Sequence, residues 1–236
     1  MSTPEYFVPD RLNDDFTQPA LVRHAEEQWV PSAQSGVERR FLDRVGAEVA
    51  RATSLVRYRP DSYFPAHTHG LGEEYLVLEG VFSDEHGHYG PDCYVRNPPG
   101  SSHTPFTREG CVIFVKLRQM EPEGEPQVVM RPDDYAWQEI PGGRSAILFQ
   151  SALNEERVTA ESLQAGFRRT MHATGGAEIL VLDGELTVDS EVLAAGDWLR
   201  LPAGSETVMA SARGCRLWMK HGHLADPAGI KARAVG

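Results

Sequence analysis

Four side chains of types that ligate transition metals lie in two short segments of the first half of the sequence. They are His67, His69, Glu73 and His103. Imidazole nitrogens and a carboxylate oxygen suit divalent ions such as zinc, iron, nickel and manganese. On an extended backbone, His67 and His69 point to the same side, and the turn at residues 70–72 lets Glu73 swing back towards them. The spacing therefore predicts one metal site, and these four residues are called the four-ligand group below.

Other histidines fit this interpretation less well. A lone histidine on a strand is more often a hydrogen-bonded polar residue than a ligand, so a metal hypothesis needs several ligands at a common spacing. His86 and His88 form a second His-x-His pair, but residues 83–92 have the composition of a hairpin loop, and no ligand pattern like that of Glu73 follows the pair. We expect a surface role for that pair.

Two motifs surround the four-ligand group. HxHxxxE with a glycine seven positions later covers residues 67–80, and PxGxxH covers residues 98–103. With the neighbouring GEEYLVLEGVFSDEHG and YVRNPPGSSHTPF, they resemble the cupin superfamily, and in particular the cupin domain of ChrR-type anti-sigma factors. The resemblance covers residues 51–117 best. It implies a double-stranded β-helix with one metal ion held by the four-ligand group near a barrel mouth.

The second half of the chain repeats the first at an offset of 104 residues. Residues 74–80 return as 178–184, and residues 98–101 return as 202–205. Residues 37–45 alternate apolar and charged side chains, and residues 111–117 are nearly all apolar, and both patterns are typical of β-strands. We therefore predict an all-β protein made of two tandem double-stranded β-helix (cupin jelly-roll) domains.

Composition shifts give the predicted domain ranges. Residues 120–126 hold two prolines, a glycine and three acids and serve as the boundary. The ranges are residues 1–19 as an N-terminal arm that is disordered or laid over the barrel, 20–121 as the metal-binding domain, 127–225 as a degenerate domain, and 226–236 as a loose tail.

The same offset predicts that the second domain binds no metal. The positions of the four-ligand group are occupied there by Met171, Ala173, Ala177 and Thr207. His172 lies one residue out of register and would face the other side of its strand.

Composition limits the partners and the compartment. The formal net charge of -11 disfavours nucleic acid and anionic membranes. Three cysteines without a CxxC pair argue against a disulfide framework. No basic and apolar leader and no apolar run of membrane length occurs in the sequence, which predicts a cytoplasmic protein. A free sheet edge must be covered, and we expect a homodimer.

Two functions from different classes remain open. The first is a metal-binding sensory or regulatory module with a small-molecule ligand in the N-terminal barrel. It would resemble the ChrR cupin half but lack the helical HxxxCxxC zinc domain that binds sigma factors, so direct sigma-factor binding is not expected. The alternative is a metal-dependent dioxygenase or related enzyme that acts on a small carbonyl compound.

The metal and the catalytic residues are left open. The metal is one divalent ion, zinc, iron, manganese or nickel, with zinc or iron favoured. Zinc can close a tetrahedral site, whereas an octahedral ion leaves positions for substrate. No catalytic residue is assigned. Tyr75 and Val77 share the strand face of Glu73, and the basic residues Arg57, Arg96 and Lys116 are weighed as anion-orienting groups but are expected to be structural.

Overall fold

The computed structural model of the protein describes residues 8–26, 28–47, 49–122 and 124–234, with the backbone alone at 231–234. In chain order, the strands before residue 118 are β1 (Arg11–Leu12), β2 (Ala20–Val22), β3 (Val30–Pro31), β4 (Val37–Val45), β5 (Arg51–Tyr58), β6 (Ser62–Tyr63), β7 (His67–Thr68), β8 (Glu73–Gly80), β9 (Phe82–Asp84), β10 (Gly87–Tyr89), β11 (Tyr94–Asn97), β12 (Ser102–His103), β13 (Phe106–Thr107) and β14 (Cys111–Leu117).

The later strands are β15 (Val128–Met130), β16 (Gln138–Ile140), β17 (Gly143–Gln150), β18 (Arg157–Leu163), β19 (Phe167–Ala173), β20 (Ala177–Val188), β21 (Glu191–Ala194), β22 (Trp198–Leu201), β23 (Ser205–Ser211) and β24 (Cys215–His221). A 3-10 turn covers Pro132–Asp134, and helix α1 covers Pro227–Ala234. The predicted all-β class is therefore confirmed.

The described residues fall into two compact units. The first holds residues 8–14, 28–133 and 231–234, and the second holds residues 15–26 and 134–230. Two short strands are exchanged with respect to the sequence halves. β2 pairs with β22 of the second unit, and β15 pairs with β11 of the first. The domain ranges 20–121 and 127–225 stay a prediction.

The first unit is a barrel of antiparallel strands. Its large sheet has the order β1-β4-β5-β14-β8-β11-β15, with β3 on β4, and smaller sheets are β10-β9-β13-β6 and β12-β7. Alternate residues of β8 and β14 point inwards, so Val77, Ile113 and Val115 join one buried apolar cluster. This sheet carries the cavity wall described below.

The second unit repeats the strand plan of the first. Its main sheet runs β16-β17-β18-β24-β20-β22-β2, and β19 pairs with β23, which also pairs with β20. The β8–β14 ladder skips Leu78, and the β20–β24 ladder skips Leu182, its equivalent at the 104-residue offset. A bulge at the same place in both ladders indicates that the two units are copies of one fold.

Glycine at the end of the cupin motif is required by a close backbone approach. Gly80 has φ 69°, and a Cβ there would lie 2.0 Å from the carbonyl oxygen of Gly110. Gly184 and Gly214 repeat the approach, with a Cβ at 2.5 Å. Only glycine lets these two strands meet at this distance.

The structure describes parts of both predicted terminal segments, the N-terminal arm and the C-terminal tail. β1 pairs with β4, so part of the N-terminal arm lies on the first barrel, and residues 1–7 lie outside the described residues. The expectation that residues 226–236 form a loose tail is wrong for 227–234, because helix α1 forms there and Leu224 and Ile230 are buried. Asp226 caps this helix by accepting a hydrogen bond from the Gly229 amide at 2.9 Å. Residues 235–236 lie outside the described residues.

Among the described residues, the single α-helix is too short and too polar to span a membrane.

Candidate metal centre

Three short elements bring the four-ligand group together at one end of the first barrel. His67 and His103 are cross-strand partners in the β7–β12 pair. His69 follows β7 and is held by two backbone bonds to the PxGxxH segment, from its amide to Ser101 O at 2.9 Å and from the Gly100 amide to its carbonyl at 2.8 Å. Glu73 is the first residue of β8. The two sequence motifs are thus hydrogen-bonded to each other at the site.

The ligand atoms converge. One ligand atom from each of the four residues can be chosen so that all lie within 4.8 Å of one another. Glu73 Oε2 lies 3.4 Å from His69 Nε2 and 3.5 Å from His103 Nε2. This is the separation expected of atoms that share one central ion at about 2.0–2.2 Å each.

Each histidine ring is fixed through its other nitrogen. The Nδ1 atoms lie 2.9 Å from Pro65 O for His67, 3.0 Å from Ser101 Oγ for His69 and 3.0 Å from Asp84 Oδ2 for His103. Such outer partners fix the tautomer of metal-binding histidines and leave Nε2 free for the metal. Asn97 Nδ2 donates to Glu73 Oε2 at 3.3 Å and so orients the carboxylate.

Two buried nitrogens test whether a metal fits. His69 Nε2 and His103 Nε2 are buried and have no hydrogen-bond partner among the described residues, since their contacts to Glu73 are too long or misaligned to count. A buried polar atom without a partner costs free energy. Two such atoms facing one carboxylate oxygen are the arrangement that a divalent ion would satisfy, so the residues fit a metal.

Asp84 sets the electrostatics around His103. Burial acts to raise the pKa of Asp84, but the hydrogen bonds from His103 and the His86 amide outweigh it and the pKa is lowered. Burial likewise opposes protonation of His103, but the bond to Asp84, helped by Glu73, raises its pKa. The pKa of His69 is lowered, chiefly by burial. A buried carboxylate behind a ligand histidine increases the basicity of that ligand.

A cavity of about 530 Å³ opens beside the four-ligand group. His67 and Glu73 border it, and most of its wall is apolar, including Phe41, Val56 and Ile113. Polar side chains that also border it are Asp10, Ser32, Arg39, Arg44, Ser54 and Tyr58. Its volume lies in the range of small-molecule sites. A molecule in this cavity would therefore lie next to two of the four candidate ligands.

Two tyrosines near the site keep their protons. Tyr58 borders the cavity, and burial followed by the charge of Glu73 raises its pKa. Tyr75 shares the strand face of Glu73, and its buried hydroxyl has no partner in the described part of the chain. Burial, then Glu73, raises the pKa of Tyr75 well above its usual value. Both phenols are thus available as hydrogen-bond donors.

The other candidate residues from the sequence lie elsewhere. Arg57 pairs with Glu38 at 2.7 Å, and Arg96 pairs with Glu74 at 2.9 Å. Lys116 donates to Thr53 Oγ1 at 2.8 Å. None of these three basic residues borders the cavity. As expected, they have structural partners.

The second His-x-His pair lies beside the site without joining it. His88 Nδ1 lies 2.9 Å from Ser83 Oγ, and the His86 amide donates to Asp84 Oδ1 at 2.8 Å. Neither residue belongs to the four-ligand group. The loop that carries them nevertheless supplies Asp84, whose role sequence analysis missed because residues 83–92 read as a solvent-exposed hairpin tip.

In the second unit, the equivalent positions are filled differently. Met171 and Thr207 are cross-strand partners, as His67 and His103 are in the first unit. Met171, Ala173 and Ala177 belong to the buried apolar cluster of that unit. His172 lies on the outer side of β19, exposed, 3.2 Å from Glu206. That the second unit takes up no metal stays a prediction.

The comparisons with known proteins place the chain in a family. The sequence matches the family described as ChrR Cupin-like domain twice, over residues 17–121 and 125–225. The chain therefore belongs to this family, as a bicupin. A comparison with curated proteins finds no match.

Solved structures share the fold at low sequence identity. A protein from Nostoc punctiforme with a provisional assignment as a dioxygenase superposes with TM-score 0.73 and 14% identity, over 90% of this chain and 85% of its own. The nickel(II) complex of the pirin YhhW from Escherichia coli gives 0.67 and 11%, over 86% and 98%. Oxalate decarboxylase of Lactobacillus farciminis with formate gives 0.61 and 12%, over 86% of both chains. At these identities, the likeness establishes the cupin fold alone.

Proposed function

We propose that the protein is a dioxygenase that acts on a small, mainly apolar carbonyl compound, and that the four-ligand group of the first unit holds its single metal ion. The observation that carries the proposal is the position of the four-ligand group in the wall of a cavity. A structural zinc site is closed by its protein ligands, whereas a catalytic site keeps a position open towards the substrate. His67 and Glu73 border about 530 Å³ of space.

The residues of the chain have distinct roles in this proposal. The four-ligand group would hold an iron ion, which supplies coordination positions for a carbonyl oxygen and for dioxygen. Asp84, Ser101 and Pro65 hold the three imidazoles in the ligating tautomer. Glu73 also gives the site an anionic group, so that the ion keeps a small positive charge that favours an enolate oxygen.

The cavity wall selects and orients the substrate. Its apolar residues exclude water from the reacting atoms, which strengthens every electrostatic contact there. Tyr58 holds its proton and donates a hydrogen bond to a substrate oxygen. Arg39 lies on β4 opposite Val56, which is opposite Ile113 and then Val77. Arg39 is thus displaced from Glu73 by four residues along the strands, about 13 Å at 3.3 Å per residue, and by three strand spacings of about 4.8 Å each across the sheet.

This spacing suggests the shape of the substrate. An oxygen donor would lie at the four-ligand group, an apolar body would fill the middle, and a polar or acidic group would reach Arg39. Replacing Arg39 by Gln should raise KM for such substrates and leave kcat nearly unchanged, because the residue is remote from the reacting atoms.

The test is metal identification followed by dioxygen uptake. The protein as purified is analysed for bound metal, reconstituted with iron, and assayed in an oxygen electrode with β-diketones and hydroxy-ketones. We expect substrate-dependent uptake that Glu73→Ala and His103→Ala abolish and His88→Ala leaves intact. Iron-loaded protein that consumes no dioxygen with any member of the panel would refute the proposal.

A second candidate is an effector-binding regulatory module. The family description, ChrR Cupin-like domain, favours it. In that case the purified protein would hold zinc tightly, show no turnover, and bind small molecules in the cavity without changing them.

We further propose a cytoplasmic homodimer that contacts neither nucleic acid nor membrane. Its three cysteines are free and buried, which fits a reducing compartment. The charge of -11 supports the lack of polyanionic partners.

A further inference from the structure

The inner wall of the second barrel carries charged groups. β18 is regular, so Arg157, Thr159 and Glu161 point to one side. Arg157 lies directly opposite His221 on β24, and His221 lies directly opposite Ala177 on β20. Directly opposed residues of antiparallel strands share a face. His221 is therefore the direct neighbour of Ala177, the position that is equivalent to Glu73, and Arg157 lies one strand further along the same face.

The first barrel has a different wall at the same register. There, Leu117 is opposite both Ala52 and Glu73. Ala52, Ser54 and Val56 border the cavity of the first unit and correspond to Arg157, Thr159 and Glu161. In the second copy, three positions of the four-ligand group thus hold apolar residues and the fourth holds Thr207, and basic residues lie on the neighbouring strands of the same sheet as Ala177.

A cavity of about 570 Å³ lies at this end of the second unit. Arg157 and His221 border it, together with Gln150 and the glycine turns around Gly176 and Gly222. His172, from the outer side of β19, and Thr174 also border it, so the cavity lies at the rim of the barrel. Glu155 also borders the cavity, with an exposed side chain that water solvates. The space is large enough for a metabolite-sized molecule.

Two polar side chains of this wall, Arg157 and Thr159, have unused hydrogen-bond donors within the described ranges. Glu161 is neutralised by Arg169 at 3.0 Å, but the Arg157 guanidinium has no ion pair or side-chain hydrogen bond within the described ranges. Thr159 is 1% exposed, and its hydroxyl has no partner in the same part of the chain. Thr159 does not border the cavity, so the exposed guanidinium of Arg157, which has no protein partner in that part of the chain, is the group that points to a ligand with oxygen acceptors.

We propose that the mouth of the second barrel binds a small organic carboxylate, which Arg157 and His221 hold. The planar guanidinium takes a carboxylate through two parallel hydrogen bonds. Burial, followed by the charge of Arg157, lowers the pKa of His221 to about 4, so that the ring is neutral at pH 7 and donates one N–H. The site needs no metal, in contrast to the four-ligand group.

The test is a calorimetric titration of the full chain with succinate at fixed ionic strength, with inorganic phosphate as a second probe. It is repeated after treatment with a chelator, which separates this site from the metal centre. The variants are Arg157→Gln and His221→Leu, the latter carrying the residue of the first barrel. Arg168→Gln, an exposed arginine on the outer face of β19, is the matched control.

Succinate should bind with one site per chain, with and without chelator. Arg157→Gln should weaken it about tenfold or more, because a charge-assisted pair is lost, and Arg168→Gln should not. In NMR spectra, succinate should shift the imidazole signal that His221→Leu removes. The proposal is overturned if no saturable binding occurs, if the chelator abolishes it, if both variants bind normally, or if phosphate binds and succinate does not. None of these outcomes bears on dioxygen uptake by the first unit.

Discussion

Replacement of Asp84 by Asn should weaken metal binding without unfolding the protein. Asp84 Oδ1 accepts hydrogen bonds from the His86 amide at 2.8 Å, the Gly87 amide at 3.1 Å and the Tyr89 hydroxyl at 3.2 Å. The introduced amide keeps these three bonds only if its oxygen stays at that position. Its NH2 group then takes the place of Oδ2, 3.0 Å from His103 Nδ1.

Two donors would then face each other. His103 must either lose the bond or move its proton from Nδ1 to Nε2, and the second choice removes the lone pair that ligates the metal. The lost interaction is a buried, charge-assisted hydrogen bond, worth about 1.5–3 kcal/mol. At 1.4 kcal/mol per factor of ten, metal affinity should fall about 10–100-fold, as is usual when such outer partners are removed.

Competition with a chromogenic chelator measures this change in Kd. Glu79→Gln is the matched control, because it removes one carboxylate from the exposed end of the same hairpin. The melting temperature of the metal-free Asp84→Asn variant should fall by about 3–12 °C relative to the metal-free parent, because the same bond is lost there, while the strand signal in circular dichroism should stay. A Kd within about twofold of the parent would mean that the Asp84–His103 contact does not act on the metal.

Four further outcomes are expected. Metal analysis should give about one ion per chain, and the His67→Ala/His103→Ala double variant should hold none; two ions per chain would contradict the loss of ligands in the second unit. Chelation should lower the melting temperature but leave the strand signal in circular dichroism, since each unit has an apolar core of its own. The pKa of His221 is about 4 in the folded protein and about 6.5 in the unfolded chain, so the unfolded chain binds the proton more readily. The free energy of unfolding should therefore fall as the pH is lowered from 6.5 to 4, by at most about 1.4 kcal/mol per pH unit. In His221→Leu, the urea midpoint should depend less steeply on pH over this range. Light scattering should return twice the chain mass of 26.1 kDa; the monomer mass at micromolar concentration would exclude the dimer.

The fold and the membership of the four-ligand group could be predicted because both depend on local spacing. The two motifs and the 104-residue repeat encode strands, turns and ligands within short windows, and the alternation of β8 places Glu73 and Tyr75 on one face. The convergence of the ligands follows from the β7–β12 pairing, which joins the two motifs.

Other features depend on contacts that no short window contains. Asp84 reaches His103 across 19 residues from a segment whose composition is that of a loop. The charged wall of the second barrel shows only when the register of β18 on β24 is known, since Arg157 matches Ala52 at an offset one residue longer than the rest of the repeat. Helix α1, in contrast, had a local signal, since Asp226 and Pro227 form a capped helix start.

The exchange of β2 and β15 determines how the chain can be divided. A polypeptide cut between residues 124 and 127 would leave β2, which completes the second unit, on the first fragment, and β15, which completes the first unit, on the other. In the first fragment, β11 would become an unpaired edge strand because β15 is missing. In the second fragment, β22 would become one because β2 is missing. The two fragments expressed together should therefore reassemble.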